Sequence, residues 1–235
     1  MRSTKEMNDK EVISAESQQL TANSSLQKTY TQYISQGNTI KEHLQNIENV
    51  CKAGGKWVQL RLKNIELIDY LNAAKEARKI CDTYEAVLII NDNIGVAGES
   101  NADGVHVGLT DINPKEARKQ LGSEAIIGGT ANTLENCLKH INDGVDYIGL
   151  GPFRFTKTKD KLSPILGTKG YTEIVKKLTS EGYQLPVVGI GGITLNDLQE
   201  LSRTGLSNVA ISGLLTNEPI GLLKERVEKI ETSFQ

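Results

Sequence analysis

Residues 125–149 have the sequence AIIGGTANTLENCLKHINDGVDYIG, which contains one complete strand–helix–strand unit. Ala125–Gly128 and Tyr147–Gly149 are short apolar runs typical of buried strands, whereas Leu134–Ile141 places apolar residues at helical intervals of three and four. Two such strands joined through a helix favour a parallel sheet with the helix packed outside it. This stretch therefore predicts a βαβ unit.

The same unit recurs from Tyr30 onward, with further helical patterns at 40–54, 67–84 and Tyr171–Leu178. Eight strand–helix units in alternation predict a single (β/α)8 TIM barrel of the α/β class, and 235 residues suffice for one. The alternative is a doubly wound open sheet, but the turn after the first strand, YISQGNT, has no GxGxxG. The predicted strands are Tyr30–Ser35, Trp57–Leu62, Ala86–Ile90, Gly104–Val107, Ala125–Gly128, Tyr147–Gly149, Pro186–Ile190 and Asn208–Ile211.

Two segments differ in composition. Residues 1–26 are rich in Ser, Gln, Asn, Lys and Glu and have too few large apolar side chains to offset the entropy of ordering. We therefore expect a polar, disordered N-terminal extension at 1–26 and a catalytic barrel domain at 27–235.

Deletion of residues 1–25 is expected to leave folding and turnover nearly unchanged, because this segment has little apolar surface to bury. Denaturant unfolding and steady-state kinetics of the truncated protein measure the effect. A loss of more than about 2 kcal/mol in unfolding free energy would show that the extension packs on the barrel.

The composition of the chain limits the kinds of binding partner and the cellular compartment that we expect. A formal net charge of −2 provides no polybasic field for nucleic acid or a membrane surface, and no apolar run approaches the ~18 residues of a membrane span. Three widely spaced cysteines without a CxxC pair favour a reducing compartment, so we expect a cytoplasmic enzyme that binds small molecules. The oligomeric state is left open by the sequence.

Polar side chains gather where the second, third and fourth strands end. Gln59, Arg61 and Lys63 share one face of strand two by alternation, and cations pointing into a barrel call for an anionic partner. Asp92 and Asp111 follow strands three and four, and carboxylates from neighbouring strand ends can share Mg²⁺ with substrate phosphate oxygens. The alternative is that each aspartate only caps the following helix.

The later strand ends supply hydroxyls and glycines. Thr130 follows strand five, where it can bond a phosphate or cap a helix near Asn132. The long loop after strand six contains Thr156, Thr158 and Lys159, a set that suits phosphate oxygens, with a merely hydrophilic loop as the alternative. Loops after strands seven and eight are a recurring phosphate site of this fold; here they contain Gly191, Gly192, Ile211, Ser212 and Gly213.

The three histidines form no triad or metal set. His43 and His140 lie in helical patterns and are expected at the surface, whereas His106 lies on strand four and is expected to be a core histidine with its hydrogen bonds satisfied. An activated Cys, Ser or His is absent from the predicted strand ends, which argues against acyl transfer.

In order and spacing, these segments resemble the thiamine-phosphate synthase family over about residues 28–232. The segments that carry the resemblance are QLRLK, IINDN, ADGVHVGLTD, DYIGLGPFRFTKTK, PVVGIGGIT and VAIS. Three departures stand out: Leu62 where many members have Glu, Thr130 in place of a usual Ser, and a VAIS stretch that is one residue shorter than is common.

The resemblance implies a role for each matching residue. Gln59, Arg61, Lys63 and Asn91 would contact a pyrimidine diphosphate, which Thr130 and Lys159 would also hold, and Arg61, Lys63 and Lys159 would be catalytic. Asp92 and Asp111 would bind Mg²⁺ as the cofactor. The thiazole phosphate would be bound by Thr156, Thr158, Gly192, Ile211 and Ser212.

Three other functions remain as alternatives. A related thiazole tautomerase would shuffle protons with a histidine and would need neither a Mg²⁺ pair nor a diphosphate-holding lysine. A non-catalytic sensor would bind both thiamine precursors without turnover. A sugar-phosphate epimerase would need a paired His/Asp metal set, which this sequence lacks.

Overall fold

A computed structural model describes residues 31–155 and 164–235. Within these ranges eight parallel strands pair in sequence order and the first also pairs with the last, so the sheet closes into a barrel. The strands are β1 Gln32–Ile34, β2 Trp57–Leu60, β3 Val87–Asn91, β4 Gly104–Val107, β5 Ile126–Ala131, β6 Tyr147–Leu150, β7 Val187–Ile190 and β8 Asn208–Ile211. The predicted TIM barrel is therefore confirmed, and the open-sheet alternative is wrong.

A helix follows each strand. The helices are α1 Ile40–Lys52, α2 Leu67–Thr83, α3 Ile94–Glu99, α4 Pro114–Leu121, α5 Leu134–Asn142, α6 Gly167–Ser180, α7 Leu198–Leu201 and α8 Ile220–Thr232. Helix α6 begins four residues before the predicted Tyr171, and β2 ends two residues before the predicted Leu62. Residues 1–30 lie outside the described ranges, so the expected extension at 1–26 remains a prediction.

Strand alternation produces two separate apolar cores. Side chains on the outer face, such as Val58, Leu88 and Ile148, pack against the helices. Side chains on the inner face, such as Trp57 and Ile89, form a smaller cluster inside the barrel. Because the inner cluster occupies only part of the interior, polar side chains share that space, as described below.

Two histidines are not where the sequence placed them. His43 and His140 are buried rather than exposed, because each lies on the apolar stripe of its helix, beside Ile47 on α1 and Cys137 on α5. The expectation that they face solvent is wrong. The three cysteines are free and buried. No helix within the described ranges combines the length and the apolarity needed to cross a bilayer.

Candidate active site

A cavity of about 670 Å³ opens at the carboxyl ends of the strands. The loops after β1, β2, β6, β7 and β8 line it, because the parallel strands all end on this face. The predicted site residues among its lining are Arg61, Lys63, Gly192, Ile211 and Ser212. A concave site at this face is where enzymes of this fold bind their substrates.

Lys63 connects this cavity to the aspartate pair. Its ammonium lies 2.5 Å from Asp92 Oδ2, and the carboxyl groups of Asp92 and Asp111 are close enough to influence each other's pKa. Asp111 Oδ2 also accepts a hydrogen bond from the Gly108 backbone N–H, at 2.7 Å. The structure thus brings together three of the residues that the sequence singled out.

The electrostatics of this pair favour a cation. Burial, the largest single influence, works to raise the pKa of Asp92, but the hydrogen bonds to Lys63 and Asp111 and the charge of Lys63 together hold that pKa below its ordinary value. Burial, and after it the facing Asp92 carboxylate, raise the pKa of Asp111. Two neighbouring carboxylates, one of them paired with a lysine, fit a divalent cation that would share their oxygens. No third carboxylate, histidine or thiol joins them within 31–155 and 164–235.

The interpretation of these residues as helix caps is wrong. Asn93 caps α3 by accepting from the Val96 N–H, and Asn113 caps α4 by accepting from the Lys115 N–H. Helix α5 is capped by Thr133. The side chains of Asp92, Asp111 and Thr130 are therefore not the N-caps with which these helices begin.

A continuous set of hydrogen bonds crosses the barrel interior from Gln59 to Thr130, and we call it the cross-barrel network. Gln59 Nε2 donates to Gln32 Oε1 at 3.3 Å, and Gln32 Nε2 donates to the Tyr147 hydroxyl at 2.9 Å. His106 Nδ1 lies 3.0 Å from that hydroxyl, and His106 Nε2 lies 2.9 Å from Thr130 Oγ1. The expectation of a satisfied core histidine at His106 is confirmed. The roles of Gln32 and Tyr147 escaped sequence reasoning.

Thr130 is held from both sides of the sheet. Its hydroxyl bonds His106 inside the barrel, while its carbonyl lies 2.8 Å from His140 Nε2 on the outside. A Cβ on the neighbouring Gly129 would lie 2.8 Å from the His140 ring, so the glycine allows this helix histidine to reach the strand. Both histidines thus fix the position of one predicted substrate contact.

The turn after β7 is fastened to the loop after β6 by Arg154. Its guanidinium forms a bidentate ion pair with Asp197 at 2.7 and 2.9 Å and donates to the Gly192 carbonyl at 2.8 Å. Gly191 and Gly192 have φ of 107° and 68°, which favours glycine. Asp197 also accepts from the Thr194 backbone N–H and hydroxyl. This clamp gives the predicted phosphate turn one fixed shape.

The loop after β1 also lines the cavity. The Ser35 hydroxyl accepts from the Arg61 backbone N–H at 3.0 Å and lies 2.9 Å from His43 Nδ1. The Ser212 hydroxyl donates to Gln36 Oε1 at 3.0 Å. Neither Ser35 nor Gln36 stood out in the sequence, because the β1 loop carries no glycine-rich or charged motif, and His43 was expected at the surface.

The remaining predicted residues lie at the end of β3 and in the loop after β6. Asn91 is buried at the end of β3, and its backbone carbonyl accepts from the Tyr70 hydroxyl. Thr156, Thr158 and Lys159 lie in the segment 156–163, outside the described residues.

A closed barrel with cations, carboxylates and glycine turns at its strand ends defines the class of (β/α)8 enzymes that act on phosphorylated ligands. Residues 32–215 match the family model described as thiamine monophosphate synthase. Among curated relatives, the thiamine-phosphate synthase of Flavobacterium johnsoniae is 49% identical over 201 residues, covering 85% of this chain and 95% of the relative. That of Bacteroides fragilis (strain ATCC 25285) is 40% identical over 188 residues, covering 80% and 92%.

A solved structure agrees at the level of the fold. The thiamine phosphate pyrophosphorylase of Pyrococcus furiosus superposes with a TM-score of 0.77 at 24% identity, covering 89% of this chain and 100% of that one. The chain belongs to the thiamine monophosphate synthase family.

Proposed function

We propose that the protein is a thiamine-phosphate synthase. It would join 4-amino-2-methyl-5-(diphosphooxymethyl)pyrimidine to 4-methyl-5-(2-phosphooxyethyl)thiazole, or to the 2-carboxy form of that thiazole, and release thiamine phosphate and diphosphate. The observation that carries the proposal is the placement of Lys63 and Arg61 in the cavity wall with Asp92 and Asp111 beside them. These are groups that an anionic leaving group requires, and the similarity to curated synthases supports the same reaction.

The proposed reaction requires mainly that negative charge on the leaving group be neutralised and that the two substrates be held in line. The methylene C–O bond breaks and the diphosphate leaves with the electron pair, so a resonance-stabilised aminopyrimidine cation forms. The thiazole nitrogen lone pair then forms the new C–N bond without a general base. In this scheme Arg61, Lys63 and Lys159 neutralise the departing diphosphate, and the cavity walls hold the two substrates in line.

The proposed cofactor is Mg²⁺ held by Asp92 and Asp111. When bound there, the cation would offset charge on the diphosphate oxygens. The remaining assignments place the pyrimidine diphosphate against Gln59, Asn91 and Thr130. They place the thiazole phosphate against Thr156, Thr158, Gly192, Ile211 and Ser212. The free cysteines agree with the proposed cytoplasmic location.

The tautomerase alternative requires a histidine that exchanges protons with the substrate. His106 is buried with both ring nitrogens near hydrogen-bonding partners, and His140 contacts the Thr130 carbonyl. The aspartate pair with Lys63 favours the synthase instead.

Diphosphate release decides between these functions. The purified protein is incubated with both substrates and Mg²⁺, and thiamine phosphate and diphosphate are measured together. Equal amounts of both products are expected, with strong loss in Arg61→Ala and none in Lys119→Ala, an exposed lysine on α4. Thiazole isomerisation without diphosphate release would contradict the synthase assignment.

Arg154→Ala is expected to raise the KM for the thiazole phosphate roughly tenfold, equivalent to about 1.4 kcal/mol, while kcat changes little. The reason is that Arg154 shapes the Gly192 turn through its bond to the Gly192 carbonyl, and a phosphate far from the reacting nitrogen gains no charge during reaction. Steady-state kinetics with each substrate varied test this. Arg203→Ala, at an exposed position, is the control. A fall in kcat with unchanged thiazole KM would refute the role of the clamp.

A further inference from the structure

The cross-barrel network occupies space that neighbouring strands leave open for it. A Cβ on Gly128 would lie 2.2 Å from Tyr147 Cζ and 2.5 Å from His106 Nδ1, and a Cβ on Gly149 would lie 3.0 Å from His106 Cε1. Barrel interiors of this fold are ordinarily filled by bulky aliphatic side chains. Here β5 and β6 instead have glycines, Gly128 and Gly149, beside the contact between Tyr147 and His106. The missing side chains leave the space that these two rings occupy.

The donors and acceptors of the network determine its direction. Gln32 accepts from Gln59 through its oxygen, so its amide nitrogen faces Tyr147 and donates to the hydroxyl. Burial raises the pKa of the Tyr147 phenol, which therefore keeps its proton. A buried hydroxyl proton needs an acceptor. His106 Nδ1, at 3.0 Å, is placed to accept it.

We propose that Gln32, Tyr147 and His106 are positioning residues, and that their hydrogen bonds run in one direction from Gln59 to Thr130. Tyr147 then donates to His106 Nδ1, which fixes the imidazole as the Nε2–H tautomer, and Nε2–H donates to Thr130 Oγ1. Among the residues that the structure describes, the Gln59 carbonyl oxygen is left as an acceptor at one end of the network and the Thr130 O–H is left as a donor at the other.

These two end groups match a substrate with an amino group and acceptor-only oxygens. An exocyclic amine of a pyrimidine would donate to Gln59, and a phosphate oxygen would accept from Thr130. The assignment of these groups to the pyrimidine diphosphate rests on the proposed function. The direction of the hydrogen bonds does not, since it follows from contacts inside the protein.

The tautomer of His106 is measurable without turnover. The full-length protein is labelled with ¹⁵N-histidine, and long-range ¹H–¹⁵N correlation spectra are recorded at about pH 8, above the ordinary histidine pKa of about 6.5. His106→Gln assigns the signal. The expected result is the Nε2–H tautomer at His106. A wild-type spectrum with His106 in the Nδ1–H or doubly protonated form would overturn the proposal. His106→Gln is the only variant that this measurement requires.

Tyr147→Phe tests the origin of that tautomer. The substitution removes the donor to Nδ1, so His106 is expected to shift toward the Nδ1–H form while His140, which faces the Thr130 carbonyl, keeps its signal. Tyr171→Phe is the matched control, because Tyr171 is equally buried but donates to the backbone carbonyls of Leu150 and Ile190. A tautomer that does not respond to Tyr147→Phe would show that the tyrosine does not set it.

Kinetics then test the connection to the substrate. Gln32→Leu is expected to raise the KM for the pyrimidine diphosphate roughly tenfold and to leave the KM for the thiazole phosphate within about twofold, since it removes the hydrogen bonds to Gln59 and Tyr147 and none at the turns after β7 and β8. A merely structural defect would reduce the amount of active enzyme and leave both KM values unchanged. That second outcome would reject the positioning role. If the wild-type protein showed no turnover with the two substrates, the proposed function would be rejected, whereas the result on the His106 tautomer would still hold.

Discussion

Asp92→Asn is expected to lower kcat/KM by roughly 10²–10³-fold, or about 3–4 kcal/mol, and to weaken the response to Mg²⁺. Asp92 contacts both Lys63 and Asp111, so its charge supports the lysine and completes the carboxylate pair. Asparagine is the suitable replacement because Asp92 has φ of 64°, a left-handed conformation that asparagine tolerates and alanine does not. Steady-state rates across a Mg²⁺ titration measure the effect.

Asp69→Asn is the control for that experiment. Asp69 is an exposed carboxylate in the first turn of α2, on the same end of the barrel, and its replacement should leave the Mg²⁺ titration unchanged. The metal assignment would be rejected if Asp92→Asn kept the wild-type Mg²⁺ response, or if the wild-type enzyme turned over fully in excess chelator.

Gly128→Ala is expected to destabilise the barrel by about 3 kcal/mol or more. The added methyl would meet the Tyr147 ring at 2.2 Å and the His106 ring at 2.5 Å, and both rings are buried among other strands, so neither can move away cheaply. Denaturant unfolding followed by circular dichroism gives the free energy.

Gly221→Ala in α8 is the matched substitution for comparison. Nothing lies within 4 Å of a Cβ built there, and its φ is not positive, so alanine should stabilise the protein by roughly 0.5–1 kcal/mol. If Gly128→Ala unfolded at the same denaturant concentration as wild type, the interior would have to be far looser than the contacts around Tyr147 describe.

Much of the fold was predictable because its signals are local. Each strand is a short apolar run, each long helix has a period of three to four, and their strict alternation leaves few arrangements. The approach of Lys63 to Asp92 also followed from topology, since parallel strand ends must converge on one face.

The cross-barrel network was not predictable in the same way. Gln32 and Tyr147 are 115 residues apart and sit at the starts of their strands, where polar residues ordinarily indicate a solvated end. The burial of His140 had a usable signal, because it lies three residues after Cys137 on the same helical stripe. The polar character of histidine concealed that signal.

The pairing of β1 with β8 matters during synthesis of the protein. Gln32 pairs with Ala210, so one edge of the nascent sheet waits for roughly 180 further residues to be translated. At about 5–20 residues per second, that wait lasts roughly 10–35 s. During this time the backbone N–H and C=O groups on one edge of β1 have no partner strand, so a strand of another chain could pair with them. Aggregation of this protein should therefore depend on how fast its last quarter is translated, which synonymous codon changes after β7 can test.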